Sequence, residues 1–466
     1  MSFKYFAEKV TDNHYVLPKI ADMKCDVHAY LSEKLYQLSE DEMWDQAMAG
    51  ASYDGVTGVY IMPDCHTGFS VPIGSVIVTD KTIIQASVGY DVSCGILIQK
   101  VNLSADALRL RYNRERLITE IEKRVASGVG SNRPKLMPAF TESKLEEIFR
   151  FGAKALGFNS DVCERAFLPV SNKFDSKKIP KAYEKALPQL GSSGSNNHFS
   201  CEVQIDKNDG SVWAMTHCGS RGLGYQLSEY FFYEGAKIRN LASNRRGLSW
   251  LYDDEALGRE YTDYHNAAAN YAIANRFVIA SSIQEALQEV YGATAEVFYD
   301  ISHNLFQKET LVLPDGSTKE GYVHRKGATR AMPAKHPDLI GTKWFDSGHP
   351  CLIAGSIKTG AAILKPLPAA HDTACSVNHG SGRALARGKA KKSLAHKQDY
   401  IDADMHDISQ NFNGVTIDGI VTASKHIPLD ECDESYKALD DVLSVLTENG
   451  IAEITHRLYP VLNVKG

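Results

Sequence analysis

The stretch EYTDYHNAAANYAIANRFVIASSIQEALQEV, residues 260–290, carries the strongest helical pattern in the chain. It is rich in alanine, a strong helix former, and its apolar residues recur at spacings of three and four, the period of one helix face. The pattern predicts a long helix that packs against the rest of the protein. The same spacing predicts further helices over residues 105–124, 142–156, 227–241 and 435–449.

Short β-branched runs lie between these helices, at residues 58–62, 75–79 and 96–101, and a strand-like tail spans 458–464. Glycine-rich turns flank the first three runs, as expected for strands. No linker and no internal repeat interrupts the chain. We therefore predict an α+β fold with mixed or antiparallel sheets flanked by helices, built as a single large domain over residues 1–466 with a long helical insertion at about 227–293.

The composition is that of a globular chain, with 43% hydrophobic and 23% charged residues among 466. These values exclude disordered and fibrous classes. A net charge of −6 argues against a polycation but permits local basic patches. The nine cysteines include no C-x-x-C pair, and no apolar run is long enough for a membrane span, so we expect a reducing, cytoplasmic location.

Candidate metal ligands lie on glycine-flanked segments far apart in the chain. In VGYDVSCG, Asp91 and Cys94 are three residues apart and would both face one divalent ion. His198, His217 and His303 supply imidazoles, and such a set suits manganese, zinc or iron. The alternative is structural: a capping carboxylate, a buried thiol and core histidines.

The segment SVNHGSGRALARGKAKKSLAHK, residues 376–397, places His379 on a glycine-rich turn. The turn is predicted to open a helix that bears Arg383, Arg387 and four lysines. Backbone amides at such a helix start, together with Arg383, would hold phosphate beside the His379 imidazole, which is able to attack phosphorus. A solvated basic helix with an incidental histidine is the alternative.

Two further basic turns have the form of phosphate cradles. HRKGATR contains Arg325, Lys326 and Arg330, and GSRG contains Arg221. Arginine offers a bidentate fork and glycine lets the backbone come close, which suits a nucleic-acid backbone or the phosphates of a nucleotide. These four side chains are the predicted nucleic-acid contacts, although basic surface loops are also common without a ligand.

Read in order, MPDCH, VGYDVSCG, NHF, HCGSRGLG, HN, HRKGATRA, HGSGR and the terminal Lys465-Gly466 resemble the motifs of the RtcB family of RNA ligases. The resemblance runs from about residue 62 to the end of the chain. It implies an RtcB-type domain and an enzyme that joins RNA 3′-phosphate or 2′,3′-cyclic phosphate ends to 5′-hydroxyl ends, in tRNA splicing or RNA repair. It also implies dependence on GTP and manganese, and an archease-like activating partner.

The resemblance assigns roles to individual positions. His379 would attack the α-phosphorus of GTP and become guanylylated, and the carboxylates of Asp64 and Asp91 would assist hydrolysis of a cyclic phosphate. Two manganese ions would be held by Asp91, Cys94, His198, His217 and His303, with Cys94 as the bridge. The implied GTP contacts are Asn197, Phe199, Glu202, Asn304, Gly355, Ser356, Gly380, Gly382, Arg383, Tyr436 and Lys465.

Several positions depart from the family pattern. Glu202 stands one place later than the acidic residue that usually follows NHF, and Lys358 and Ala361 replace a glycine and a serine in GSIKTGA. Asn378 and Ser381 replace a cysteine and an alanine around His379. We expect nucleotidylation to be retained, with an altered nucleotide preference or a specialised repair substrate.

Two other functions compete with RNA ligation. A two-metal phosphoesterase would use the same ligands to activate water and leave His379 as a phosphate contact. A catalytically silent RNA-binding relative would bind RNA without joining it. Transfer of GMP to His379 separates the ligase from both.

Overall fold

The computed structural model describes residues 2–128, 130–132, 134, 136, 139–195 and 197–465. Gly466 of the predicted terminal motif and Asn196 of the glycine-rich segment before His198 lie outside these ranges. Among the described residues, no helix has the length and apolar character needed to cross a membrane.

The fold is α+β, as predicted. The α-helices in the described part of the chain are α1 (Glu33–Leu38), α2 (Asp41–Ala51), α3 (Arg111–Arg124), α4 (Glu142–Phe151), α5 (Pro180–Gln189), α6 (Arg221–Ile238), α7 (Ala256–Tyr291), α8 (Arg387–Ser393), α9 (Gln398–Asp407) and α10 (Leu439–Glu448). The strands are β1 (Glu8–Thr11), β2 (His14–Leu17), β3 (Val27–Ala29), β4 (Val56–His66), β5 (Ile73–Thr79), β6 (Thr82–Ile83), β7 (Gly95–Val101), β8 (Ala126–Ser127), β9 (Ser192–Gly194), β10 (Phe199–Asp206), β11 (Val212–Cys218), β12 (Leu251–Tyr252), β13 (Ala295–Ser302), β14 (Asn304–Val312), β15 (Thr318–Lys326), β16 (Ala328–Arg330), β17 (Cys351–Ala354), β18 (Ala361–Pro366), β19 (Ser376–Asn378), β20 (Ser409–Phe412), β21 (Val415–Asp418), β22 (Val421–Thr422) and β23 (Ala452–Val464).

Two large sheets organise these strands. The first has the order β1-β2-β3-β4-β5-β15-β14, and the second has the order β13-β7-β11-β10-β23-β18-β17, with β22 beside β23. Most neighbours are antiparallel, while β3–β4 and β22–β23 are parallel, so the sheets are mixed. Strands distant in sequence therefore become neighbours, which brings the scattered motifs together.

The helix α7 confirms the strongest sequence pattern and extends it at both ends. Nearly all side chains of its central turns are buried, because the helix packs against α3, α4 and α6 on some faces and against β7, β11 and β13 on another. A helix that is apolar around most of its circumference belongs in a core. It ends at Gly292, whose φ of 63° provides the left-handed C-cap that glycine adopts without strain.

The other predicted elements are present with shifted ends. Residues 105–124 divide into a 3-10 turn (Ala105–Leu108) and α3, and residues 142–156 divide into α4 and a second 3-10 turn (Gly152–Leu156). The predicted last helix begins only at α10, after a 3-10 turn at Asp433–Ser435, and the terminal strand β23 begins six residues earlier than predicted.

Candidate active site

Five predicted metal ligands meet at one edge of the second sheet. The pairing register of the strands explains why these ligands converge. Gly95, the first residue of β7, lies opposite both Cys218 at the end of β11 and Ser302 at the end of β13. Phe199, which opens β10, lies opposite His217. The ligands flank these strand ends, namely Asp91 and Cys94 before β7, His198 before β10, His217 within β11 and His303 after β13.

The ligand atoms form a continuous cluster with Cys94 at its centre. Cys94 Sγ lies 3.2 Å from His198 Nε2 and 3.2 Å from His217 Nε2. His217 Nε2 lies 3.2 Å from His303 Nε2, and Asp91 Oδ2 lies 2.9 Å from His198 Nε2. The ligand atoms of Cys94, His198 and His217 therefore all lie within 4.8 Å of one another, and Asp91 and His303 extend the cluster at its two ends.

Backbone carbonyls set the tautomers of two of these histidines. His198 Nδ1 lies 3.0 Å from the carbonyl of Ser193, and His217 Nδ1 lies 3.0 Å from the carbonyl of Asn197. Each Nδ1–H donates to its carbonyl, which directs Nε2 towards the cluster. The second nitrogen of each ring is thus placed where a cation could bind it.

The surroundings of the cluster keep two of its imidazoles, those of His217 and His303, neutral. Burial, together with the neighbouring imidazoles, lowers the pKa of His217 and of His303 well below the usual range. Burial opposes ionisation of Asp91, but the contact with His198 outweighs it and lowers the pKa of Asp91 to about 2. Neutral imidazoles, a carboxylate and a thiol are the donors that divalent transition metals bind, so the residues fit the two manganese ions that the resemblance implies.

Glycine is required beside Asp91. Ser220 donates to Asp91 Oδ1 through its amide (3.0 Å) and its hydroxyl (3.2 Å), which orients the carboxylate. A Cβ on Gly219 would lie 2.3 Å from Asp91 Oδ1 and would collide with it. The glycine of HCGSRG therefore makes room for a metal ligand rather than for phosphate.

His379 lies directly beside the cluster and is held by Asp64. The His379 and His303 ring centroids are 4.8 Å apart. His379 Nδ1 lies 2.5 Å from Asp64 Oδ2, and the same oxygen accepts the amides of His379 (3.2 Å) and Gly380 (3.3 Å). A proton on Nδ1 leaves Nε2 as the nucleophilic nitrogen.

The backbone around His379 is close-packed, and its conformation corrects one prediction. Gly382 has φ of 73°, and a Cβ there would lie 2.1 Å from the Asp64 carbonyl oxygen. The predicted helix does not open at His379, because α8 begins only at Arg387. The expectation of helix amides at a phosphate site is therefore wrong: the amides after β19 are used by Asp64.

A cavity of about 740 Å³ is lined by four of the five candidate metal ligands and by His379. This volume suits a ligand of nucleotide size. Many predicted site residues line it, namely Asp91, Cys94, Asn197, Phe199, Glu202, His217, His303, Asn304, Lys326, Gly355, His379, Gly380, Gly382, Arg383, Tyr436 and Lys465. Other predicted residues are not among its lining: Asp64, His198, Arg221, Arg325, Arg330 and Ser356.

Glu202 reaches the cavity because β10 contains a bulge. Phe199 pairs with His217 and Glu202 with Met215, so three steps along β10 match two along β11. Glu202 thus takes the place opposite Met215 that residue 201 would hold in an unbroken ladder. The bulge compensates for the one-residue shift of this acidic residue in the sequence.

Two amide side chains hold the Glu202 carboxylate. Asn463 Nδ2 donates to Oε1 at 2.7 Å and Gln204 Nε2 donates to Oε2 at 2.5 Å. Burial nevertheless raises the pKa of Glu202 to about 7.

Glu431 is a lining residue that the sequence analysis missed. Its carboxylate lies 2.8 Å from Arg383 Nη2, 3.0 Å from Arg387 Nη1 and 2.7 Å from Lys465 Nζ, and Tyr436 Oη donates to it at 2.5 Å. It therefore links three of the predicted GTP contacts. No local motif marks it, because its partners lie up to 48 residues away in the chain.

The substituted positions have separate local roles. Lys358 pairs with Asp404 at 2.6 Å, and Ala361 is buried at the start of β18. Asn378 donates to the carbonyl of Gly380 at 2.6 Å, whereas Ser381 lines the cavity with a buried hydroxyl that makes no hydrogen bond. Ser356, predicted to contact GTP, donates its hydroxyl to Asp433.

The predicted RNA contacts fall into two groups. Arg325 and Arg330 are buried: Arg325 makes a bidentate pair with Glu309 at 2.7 and 2.9 Å, and Arg330 is only 2% exposed. Both guanidinium groups are thus held in the interior rather than at the cavity. Lys326 does line the cavity, and Arg221 is half-buried at the start of α6.

The sequence matches the family described as tRNA-splicing ligase RtcB over residues 46–466. A tRNA-splicing ligase RtcB of Archaeoglobus fulgidus is 33% identical over the full length of both chains. Counterparts from Thermococcus kodakarensis (32% identical, 95% of each chain) and Methanococcus maripaludis (31% identical, 98% of this chain and 99% of the relative) are similar over nearly their whole length. The chain therefore belongs to the RtcB family, a family of RNA ligase enzymes.

Proposed function

We propose that this protein joins RNA 3′-phosphate or 2′,3′-cyclic phosphate ends to 5′-hydroxyl ends, with GTP and two manganese ions, through a guanylylated His379. One observation carries the proposal: an imidazole oriented by a buried carboxylate stands against a cluster of metal-binding side chains within one cavity of nucleotide size. Phosphoryl chemistry depends on this combination of a nucleophile and positive charge.

The manganese ions would be held by Asp91, Cys94, His198, His217 and His303, and the Cys94 sulfur lies 3.2 Å from two of these imidazoles. Bound there, the ions would neutralise phosphate charge and polarise the reacting phosphorus. The charge of Asp64, 2.5 Å from Nδ1, would favour the His379 tautomer with its proton on Nδ1 and leave the lone pair of Nε2 available.

In the first step, His379 Nε2 forms a bond to the α-phosphorus of GTP and the bond to the pyrophosphate oxygen breaks. GMP then passes to the RNA 3′-phosphate, and the 5′-hydroxyl oxygen displaces GMP as the phosphodiester forms. A cyclic phosphate must first be opened by water. Asp91 remains the proposed carboxylate for that step, whereas Asp64 is fully buried and acts through His379.

Guanine recognition is proposed for the end of the cavity that contains Glu202, Glu431 and Lys465. The Glu202 carboxylate would accept guanine N–H groups, and Lys465 would donate to the guanine carbonyl oxygen. Phe199 and Tyr436 line the same cavity and offer ring faces to the base. Asn197, Asn304, Gly355, Gly380, Gly382 and Arg383 are the proposed remaining contacts.

RNA is proposed to enter past Lys326 and the aromatic residues beside it. Phe69 and Tyr90 line the cavity, and Tyr90 stacks on the exposed Tyr225 with centroids 5.2 Å apart. Exposed ring faces favour single-stranded bases, and basic groups favour the phosphate backbone. Arg221 remains a proposed phosphate contact.

The experiment that tests the function follows the α-phosphate of GTP. With manganese, α-labelled GTP should leave an acid-labile label on the wild-type protein, and unlabelled protein should join a nicked RNA hairpin that carries 3′-phosphate and 5′-hydroxyl ends. His379→Ala should abolish both, while the exposed His396→Ala should abolish neither. Equal labelling of His379→Ala and wild type, or joining without GTP, would contradict the proposal.

A cytoplasmic location and an archease-like activator are also proposed. The location is supported by the nine cysteines, none of which forms a disulfide. Addition of an archease to the hairpin assay should raise the rate of joining.

A further inference from the structure

A second group of metal-binding side chains lies outside the cavity that contains His379. His336, His371 and Cys375 each offer one ligand atom, and these atoms lie within 4.8 Å of one another. Cys375 Sγ is 3.3 Å from His371 Nδ1, and the two imidazole rings stack with centroids 5.6 Å apart. None of the three lines the first cavity.

Rigid backbone holds this group in place. His336 precedes a 3-10 turn (Pro337–Leu339), His371 lies in another (Pro368–Thr373), and Cys375 directly precedes β19. The carbonyl of Cys375 accepts the amide of Ala331 at 2.7 Å, next to the pairing of β16 with β19. Two segments about 35 residues apart therefore present their ligands with little freedom to move.

The ring of His336 contains a buried atom without a partner. His336 is 1% exposed, its Nδ1 accepts the amide of Asp338 at 3.2 Å, and its Nε2 makes no hydrogen bond to any residue that the structure describes. With Nδ1 used as an acceptor, the neutral ring carries its proton on Nε2, where no acceptor meets it. Buried polar atoms without a partner are rare and call for a ligand or another explanation.

We propose that His336, His371 and Cys375 bind one zinc ion. When zinc binds one nitrogen and one sulfur at ordinary bond lengths in a tetrahedron, the nitrogen and the sulfur lie about 3.5 Å apart. Cys375 Sγ and His371 Nδ1 are 3.3 Å apart, close to that separation. A thiolate with two imidazoles, and no carboxylate, suits zinc better than manganese. This site is thus chemically distinct from the cluster around Cys94.

A second cavity, of about 630 Å³, supplies access and the fourth coordination position. His371 and Cys375 line it, together with His14, His28 and Asp372. Water from this cavity would complete a tetrahedron that has three protein ligands. Zinc therefore has a route to the site that does not pass through the first cavity.

The proton balance of binding is simple. The Cys375 thiol loses its proton to solvent as the sulfur–zinc bond forms, so one proton is released for each ion bound. The His336 proton moves from Nε2 to Nδ1, and the Asp338 amide loses its acceptor. His371 coordinates through Nδ1 and keeps its proton on Nε2. One backbone hydrogen bond is exchanged for three bonds to the metal.

Cobalt is the probe for this site, because a cobalt–thiolate bond gives a near-ultraviolet charge-transfer band. The full-length protein is first freed of metal, and Cys94→Ala is introduced to remove the thiolate of the other cluster. The Cys94→Ala protein should develop the band with one equivalent of Co²⁺ and lose it when Zn²⁺ is added. Cys375→Ser in this background should abolish the band.

Two further variants keep the test decisive. Cys351→Ser changes a buried cysteine outside the group and should leave the band unchanged. His371→Gln changes the least buried ligand, so the fold should tolerate it, and should weaken Co²⁺ binding by roughly tenfold or more. A band that persists in Cys375→Ser, or that never appears at saturating Co²⁺ in the folded Cys94→Ala protein, would overturn the proposal. The cobalt band is measured without GTP, so its outcome is independent of whether His379 is labelled by GTP.

Discussion

At the residue scale, we expect the contact between Asp64 and His379 to determine which ring nitrogen is the nucleophile. The Asp64 carboxylate is fully buried, and its Oδ2 lies 2.5 Å from His379 Nδ1 while also accepting two backbone amides. The two atoms do not have hydrogen-bond geometry, but the negative charge of a carboxylate at this distance favours the tautomer with the proton on Nδ1. Nε2 then carries the lone pair that the proposed chemistry needs.

Asp64→Asn should therefore slow guanylylation of His379 by roughly 10²–10⁴-fold, because an amide N–H that faces Nδ1 favours the wrong tautomer. The measurement is the single-turnover rate of label transfer from GTP at saturating manganese. Thermal unfolding should change little, since the side chains have the same shape. The exposed Asp372→Asn is the control, and wild-type rates in Asp64→Asn would remove Asp64 from this role.

The buried side chain of Glu202 makes the stability of the fold depend on pH. Burial raises its pKa to about 7, against an ordinary value of 4.5. Between these values the folded protein binds more protons than the unfolded chain. Its contribution to stability is therefore complete below about pH 4.5 and is lost as pH rises towards 7.

Glu202→Gln should remove the loss of stability that the wild type shows as pH rises, because glutamine does not ionise. We expect this in the protein free of metal and nucleotide. There, as pH rises from about 4.5 to about 7, the wild type should lose roughly 3 kcal/mol of unfolding free energy relative to the variant. Urea denaturation at a series of pH values measures the difference. The exposed Glu289→Gln is the comparison, and a difference that does not vary with pH would contradict the expectation.

At the element scale, helix α7 positions the strand ends that carry the metal ligands. Its Arg276 is fully buried and pairs with Asp300 of β13. The same guanidinium donates to the carbonyls of Ser93 (2.5 Å) and Cys218 (3.1 Å). One side chain thus connects the segments that contain Cys94, His217 and His303.

Arg276→Met should lower the free energy of unfolding by about 3–5 kcal/mol, because it leaves the Asp300 charge buried and unpaired. It should also weaken manganese binding by roughly 10–100-fold. The double variant Arg276→Met/Asp300→Leu separates these effects: stability should largely return, because no unpaired charge remains, but manganese affinity should not. Denaturation and manganese titration measure the two quantities, and recovery of both would show that Arg276 only balances charge.

At the scale of the whole molecule, the net charge of −6 repels RNA, so binding of RNA would require local patches of positive charge. Lys389 and Lys392 on α8, and Lys397 just beyond it, are exposed. The helix follows directly after Leu385 and Ala386, which line the cavity. If the RNA end binds in the cavity as proposed, we expect this basic segment to contact phosphates farther along the RNA.

Lys389→Glu/Lys392→Glu should therefore weaken RNA binding and lower the slope of log affinity against log salt by about 1.4, or 0.7 for each lost phosphate contact. Labelling of His379 by GTP should be unaffected. Fluorescence anisotropy at several salt concentrations measures the slope. Lys181→Glu on α5 serves as the control, and a double variant with the control's slope would exclude α8 as an RNA contact.

Local pattern predicted the elements whose stability depends on local spacing. Helix α7 follows from alanine content and apolar period, and β4, β5 and β7 follow from β-branched runs between glycines. The start of α8 was misplaced because glycine and basic residues after His379 resemble a helix opening. The chain there instead packs against Asp64, which is more than 300 residues away.

The candidate metal ligands, the proposed nucleophile His379 and the α+β class followed from residue identity alone, because donor chemistry and hydrophobic period are properties of short segments. Convergence of the ligands, the bulge that returns Glu202 to the cavity, the Glu431 network and the burial of Arg325 and Arg330 arose only in three dimensions. Strand register between distant segments decides which side chains meet, and that register depends on hydrogen bonds and packing that no local stretch contains.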